Sequence, residues 1–328
     1  MKFRTQIDIS PLAERIDYSH KILAVGSCFA DVVGARLRRA KFRVDVNPSG
    51  VLFNPASISM ALDRFINKRY VSLDELHHGA QGWSHYDFHS SLSRMDAEEC
   101  VESINHAIDM GHQAVMGADW IILTLGTSWV YRLIGSGKIV ASCHKQPSSM
   151  FVRERLSVDQ IVEELERCLG RFLESKNSKD SKNIILTLSP IRHIADGLPE
   201  NSLSKATLRV AIDEFMRWHP QRVNYFPSYE IFMDDLRDYR FYGDDMVHPS
   251  SVGVDYVWEQ FCGVAISKSA NDLMSKILNI IRASEHRPYN PESDAHKQFC
   301  RAQLCAISSL EYRVNMDAER LYFEKWAE

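Results

Sequence analysis

Two short stretches carry residue types able to do nucleophilic chemistry. Residues 25–30 read Val25-Gly26-Ser27-Cys28-Phe29-Ala30 and close the apolar run Ile22-Leu23-Ala24-Val25. A buried strand that ends in Gly-Ser-Cys, with a helix starting at once, puts a hydroxyl and a thiol at a strand's carboxyl end. Ligands of open parallel sheets bind there. The turn amides and the helix N-terminus would stabilise a developing negative charge. Far downstream stands Asp244-Asp245-Met246-Val247-His248-Pro249. The spacing of Asp245 and His248 lets carboxylate meet imidazole within one turn. An acid that orients the ring, a histidine that takes a proton and a serine that attacks make a hydrolytic triad. Each stretch alone also reads as an ordinary turn or a helix cap; their order along the chain is what joins them. Cys28 is the rival nucleophile, and its chemistry would need a nearby imidazole to lower the thiol pKa.

Residues so far apart in sequence meet only if a fold brings them together. Buried parallel strands read as continuous runs of Val, Ile and Leu. Such runs occur at Lys21–Val25, Phe42–Val46, Trp120–Leu125 and Asn183–Leu188, with a weaker one at Val223–Phe226. Helical periodicity marks Phe29–Ala40, Ala56–Asn67, Ala97–Met116, Val158–Ser175 and Lys205–His219. In Val158–Ser175, Ile161, Leu165, Cys168, Leu169 and Phe172 share one face. Alternating strands and helices predict a parallel sheet with helices on both sides. Residues 76–95, rich in His, Gly and Ser, fit neither period, and residues 131–150 read as a small hairpin around Gly135-Ser136-Gly137. After the linker-like "SEHRPYNPESDAHKQ" the chain returns to a helical pattern, with Phe299, Leu304, Ile307, Leu310 and Val314 apolar.

Composition narrows the class. The 328 residues are 45% hydrophobic and 25% charged with a formal net charge of −4, ordinary for a globular chain and unlike a broad nucleic-acid surface. No apolar stretch approaches the roughly 18 residues of a membrane helix, and no apolar core of a secretory signal follows the first residues. Seven scattered cysteines without a CxxC pair argue against a zinc site or a disulfide framework and fit a reducing cytoplasm.

The early serine and late Asp-x-x-His resemble the SGNH (GDSL-like) hydrolase superfamily. Gly26-Ser27-Cys28-Phe29-Ala30 resembles most closely the name motif of its GSCFA family. "NPSGVLFNP" (47–55), "TLGTSWVY" (124–131), "CHKQP" (143–147), "SPIRH" (189–193) and "HPS" (248–250) are similar to further stretches of that family. The resemblance covers roughly residues 20–260. It implies a three-layer α/β/α, flavodoxin-like sandwich; with the linker-like stretch and helical pattern read above, the expected division is a domain over residues 1–283 and a linker and helical C-terminal extension over 284–328. It also implies ester chemistry, with Ser27 as nucleophile, His248 as general base, Asp245 as orienting acid and Cys28 packed beneath the turn. The implied oxyanion hole takes the amide of Ser27, the amide of Gly50 and an asparagine from a Gly-x-Asn block. That block reads Gly126-Thr127-Ser128 here, so the third donor falls to a hydroxyl of Thr127 or Ser128, or to Trp129 or His144.

Other polar residues have two readings each. His77, His78, His85 and His89 with Asp87 could ligate zinc, but a polar insertion at a cleft rim is the favoured account. Arg192 either pairs with an anionic group of a substrate or braces its own loop. Trp129 and Tyr131 either floor a pocket or belong to the core. The C-terminal apolar stripe suits docking on the domain or on a second copy of the chain. The expected activity is a cytoplasmic serine esterase, removing an O-acyl group such as acetyl from a carbohydrate or small alcohol without metal or organic cofactor. Two alternatives stand: an O-acyltransferase on the same triad, and a non-catalytic carbohydrate- or partner-binding module.

Overall fold

A computed structural model describes residues 5–80, 82–173, 182–310 and 314–327. In chain order the elements begin with β1 (Lys21–Gly26), α1 (Cys28–Arg39), β2 (Arg43–Val46) and α2 (Pro55–Asn67). There follow β3 (His77–Gly79), β4 (Gly82–Ser84), α3 (Ala97–Gly117), β5 (Trp120–Leu125), β6 (Trp129–Leu133), β7 (Ile139–Val140) and β8 (Phe151–Arg155). Next come α4 (Val158–Leu173), β9 (Asn183–Leu188), α5 (Leu198–Trp218), β10 (Val223–Phe226) and α6 (Ser228–Glu230), which runs into a π-helical turn, Ile231–Leu236. The chain closes with α7 (Ser251–Ala265), α8 (Lys268–Glu285), α9 (Asp294–Ser308) and α10 (Asp317–Ala327).

The central sheet has five parallel strands in the order β10-β9-β5-β1-β2. Counting only its own strands, that is the 2-1-3-4-5 order of flavodoxin-like sheets, whose ligand crevice lies between the first and third strands. Side chains alternate across the pleat, so each strand feeds two cores. Leu23, Val25, Leu123 and Leu186 pack against α2, α3, α4 and α5, whereas Ile22, Ala24, Ile122 and Ile185 meet α1, α7 and α8. This is the expected three-layer sandwich.

The strands fall where the apolar runs predict, within a residue at either end. Helix α5 begins seven residues earlier than its periodicity suggests, because Gly197 (φ 84°) and a proline in the first turn start it on a polar, solvent-facing segment. Ser175, expected at the end of α4, lies outside the described residues. The hairpin expected within 131–150 is part of a three-stranded antiparallel sheet, β7-β6-β8. Strand β8, "FVRER", is half-exposed and carries too little apolar alternation to announce itself.

The C-terminal extension spends its apolar stripe within the chain. Ile307, Leu310, Val314, Met316 and Phe323 join the core that holds Phe29, Val257 and Ile277. Ion pairs Arg39–Glu285 and Lys41–Glu319 tie this side to the C-terminus of α1. No helix among the described residues is long and apolar enough to cross a membrane. Phe323 is fully buried. Replacing it by alanine should cost about 3–5 kcal/mol and lower the urea midpoint of the whole chain in one transition. Loss of a separate early transition alone would show that the extension is an independent unit.

Candidate active site

Ser27 sits where β1 gives way to α1. Its amide donates to the Thr124 carbonyl at 3.0 Å, continuing the β1–β5 ladder by one bond. Its hydroxyl caps α1, accepting from the Phe29 amide at 3.4 Å. Gly26 makes the turn possible: its φ is +138°, and a Cβ there would stand 2.2 Å from the Thr124 oxygen. A loop straps this turn. Asn47 accepts from the Gly26 amide through Oδ1 at 2.8 Å, donates through Nδ2 to Asp31 at 2.7 Å, and the Leu52 amide bonds the Gly26 carbonyl at 2.9 Å. Asn47 is a positioning residue that the sequence reading passed over, visible only as part of "NPSG".

Ser27 lines a cavity of about 450 Å³ that His248 also lines. His248 Nδ1 meets Asp245 Oδ2 at 2.5 Å. The other carboxylate oxygen of Asp245 accepts from the amides of Val247 and His248, both at 2.9 Å. The His248 amide, its ring and the Val247 amide hold the Asp245 carboxyl down at about 2. A tight turn supports the pair: Met246 adopts φ +58°, and the Gly243 amide bonds the His248 carbonyl at 2.8 Å. Arg192 stabilises it from outside, donating to the Met246 carbonyl at 2.6 Å with its guanidinium 4.5 Å from the Tyr242 ring centre. Of the two readings for Arg192, the bracing one describes its contacts, although the residue also lines the cavity.

The expected oxyanion donors need correction. The Ser27 amide is committed to Thr124, and the Gly50 amide donates to the Asn47 carbonyl at 2.8 Å. Gly50 faces elsewhere, since a Cβ on it would meet His89 at 2.4 Å. Gly126 and Thr127 both donate their amides to the Phe53 carbonyl, which ties the strand end to the loop before α2. Ser128 is fully buried, its amide and hydroxyl bonded to Ser204 at 2.8 and 3.1 Å, so it is a packing residue between β6 and α5. Thr127 lines the cavity, but its hydroxyl is shared between Ser204 and the Trp129 amide. His144 lies away from the cavity, among His77 and Tyr86, with Nε2 on the His85 carbonyl. Trp129 does line the cavity, under the Arg153 guanidinium at 4.3 Å.

Another residue offers a donor to the cavity. Asn54 lines the cavity beside Ser27 and caps α2 with Oδ1, accepting from the Ser57 amide at 2.8 Å. Among the described residues its Nδ2 group has no hydrogen-bond partner. The Cys28 amide, first in α1, likewise has no acceptor inside its helix. Asn54 belongs to "FNP", where Asn before Pro reads as a helix start, so capping masks its second use. Cys28 also lines the cavity rather than lying beneath the turn, and burial followed by the Asp31 charge pushes its thiol pKa up. That opposes nucleophilic use of the thiol.

Four further histidines have their pKa lowered by burial. Burial, with Lys205 next in weight, brings His193 on the cavity wall down to about 4. Burial likewise lowers His77 to about 4 and shifts His85 and His144 downward. Among the described residues no group of three or more His, Cys, Asp or Glu side chains is arranged to hold a metal ion. A second cavity of about 530 Å³ contains Arg64, Arg69, Arg132 and Arg167, each already paired with a carboxylate.

A model of the GSCFA family matches residues 21–261, and a model described as the C-terminal domain of GSCFA domain proteins matches residues 277–327. No curated protein and no solved structure matches the chain.

The lowered histidines give the fold a dependence on pH. A histidine whose folded pKa lies near 4 against 6.5 unfolded binds its proton more readily in the unfolded chain. Its contribution is therefore complete above pH 6.5 and is lost as pH falls toward 4. The urea midpoint should fall progressively over that window, and His193→Gln should flatten part of the slope. A midpoint constant from pH 6.5 to 4.5 would contradict the burial of these rings.

Proposed function

The chain belongs to the GSCFA family, and from that premise we propose that it is a serine esterase of SGNH type acting on O-acyl esters of an alcohol. The observation that carries the reading is that Ser27, at the crevice of a 2-1-3-4-5 sheet, lines one cavity with His248, whose ring is held by Asp245. Ser27 Oγ attacks the ester carbonyl carbon as His248 Nε2 takes the hydroxyl proton. Asp245 keeps the other ring nitrogen protonated and stabilises the imidazolium. The oxyanion is received by Asn54 Nδ2 and the Cys28 amide, at the positive end of α1. Collapse expels the alcohol, which recovers the proton from His248, and leaves an acyl-serine. Water then attacks, giving a proton to His248, and as the carboxylic acid departs His248 returns that proton to Ser27 Oγ.

Hydrolysis is favoured over transfer to a second alcohol because the His248 side chain is 55% exposed, so water reaches the base. An ordered Asp–His pair on the same cavity as a capping serine supports an enzyme over a binding module, since adhesion makes no use of it.

Hydrolysis of p-nitrophenyl acetate tests this. Ser27→Ala and His248→Ala should each lower kcat by about 1,000-fold or more, and Ser27→Ala should abolish labelling by a fluorophosphonate. Cys28→Ala should retain activity; if it alone is inert, the nucleophile is the thiol. Asn54→Asp keeps the cap oxygen but removes the donor, so kcat should fall about 100- to 1,000-fold while the melting temperature holds. Full activity in Asn54→Asp would remove that residue from the oxyanion site. Wild type inert to both ester and fluorophosphonate would favour the binding module.

A further inference from the structure

The cavity beside Ser27 is far larger than an acetyl group requires. Its volume of about 450 Å³ lies in the range of sites that enclose drug-sized ligands. Four separate segments line it with apolar groups: Phe53 before α2, Val140 and Ala141 at β7, Ile191 and Ile194 after β9, and Val247 beside the base. Ile194 is 54% exposed at the rim and extends this apolar surface outward. Each wall arginine is committed through one terminal nitrogen, Arg153 to Asp196 and Arg192 to the Met246 carbonyl, while their Nε atoms and Trp129 Nε1 are buried from solvent without a partner among the described residues. The Trp129 ring, the natural platform for a sugar, is covered by the Arg153 guanidinium at 4.3 Å. Because those unpartnered N–H groups are shielded, the wall presents mainly hydrocarbon to a ligand, and a hydrocarbon chain would displace water from it.

Building on the serine-esterase reading, we propose that this cavity receives the acyl chain, and that the substrate carries a medium-length hydrocarbon acyl group instead of acetyl. Each methylene that enters leaves water for an apolar wall, a gain of about 0.8 kcal/mol, equivalent to roughly fourfold in kcat/KM. The preference rises with length until the cavity is full and falls beyond.

A series of p-nitrophenyl esters from acetyl to dodecanoyl reads this directly. The octanoyl ester should exceed the acetyl ester in kcat/KM by at least about tenfold, given that increment. Ala141→Phe, which narrows the cavity, should lower the octanoyl-to-acetyl ratio about tenfold by excluding chain methylenes. Calorimetry on Ser27→Ala protein supplies a readout without turnover: octanoate should bind more tightly than acetate, and Ala141→Phe in that background should weaken it. Maximal kcat/KM at acetyl, or equal binding of the two carboxylates, overturns the proposal while leaving the esterase intact. Octanoate binding lost on narrowing, with no ester cleaved and no fluorophosphonate label, sustains the chain site and overturns the esterase.

Discussion

The approach of β1 to β5 at Gly26 is the constraint on which the site depends. A parallel sheet that reverses its winding direction opens a crevice at the reversal, and the two strands bounding it must still remain hydrogen-bonded. Here the bonding is carried one residue past the strand, through the Ser27 amide to Thr124. Such an extension leaves no room for a side chain at residue 26, and the φ of +138° suits only glycine. Ser27 is therefore held by its backbone on one side and by its own helix on the other. Its hydroxyl is thereby directed by the backbone of the turn and the first amides of α1, not by a flexible loop. The same constraint removes the Ser27 amide from oxyanion binding, since one N–H cannot serve the ladder and the cavity together.

The Asp245–His248 pair is held by a different physical device. Ser27 is only 2% exposed, but Asp245 and His248 lie on a solvent-facing turn. Their geometry comes from short-range bonds: two amides on one carboxylate oxygen, the ring on the other, and a left-handed Met246 closing the turn. Exposed ion pairs contribute little to stability, so this arrangement is better understood as orientation than as folding energy. Arg192 joins the turn to the segment after β9, so the base is carried by the sheet through one guanidinium. Loops positioned by a rigid scaffold are the usual place for chemistry, and this turn follows that pattern.

How legible each part was follows from how its signal is encoded. The strands were readable because burial on both faces demands uninterrupted apolar runs, and "KILAVG", "WIILTL" and "NIILTL" leave little choice. Asp245 and His248 were readable because their contact is local, within one turn. Ser27 was readable from the strand-to-helix switch. Which polar groups are left free at the cavity was not readable, because amide availability depends on where each N–H is spent. Gly50 carries the right residue type, yet its amide turns back to Asn47. Ser128 resembles a substitute hydroxyl, but Ser204, many residues away on α5, claims it. Strand β8 and His144 fail for the same reason: their neighbours are remote in sequence and leave no periodicity.

Asn54 shows what such long-range accounting produces. One carboxamide has an acceptor and two donor hydrogens. Its oxygen begins α2 by taking the Ser57 amide, and that bond fixes the plane of the group. The nitrogen is then oriented by a helix that packs Ala61, Leu62 and Phe65 into the core beneath the sheet. The Phe53 carbonyl, one residue earlier, receives both the Gly126 and Thr127 amides, so the end of β5 and the start of α2 move as one body. An asparagine placed this way brings the rigidity of the core to the cavity, although it lies in a different stretch from the expected Gly-x-Asn block. The block departs from its pattern in sequence, and the fold supplies a carboxamide from the adjoining loop.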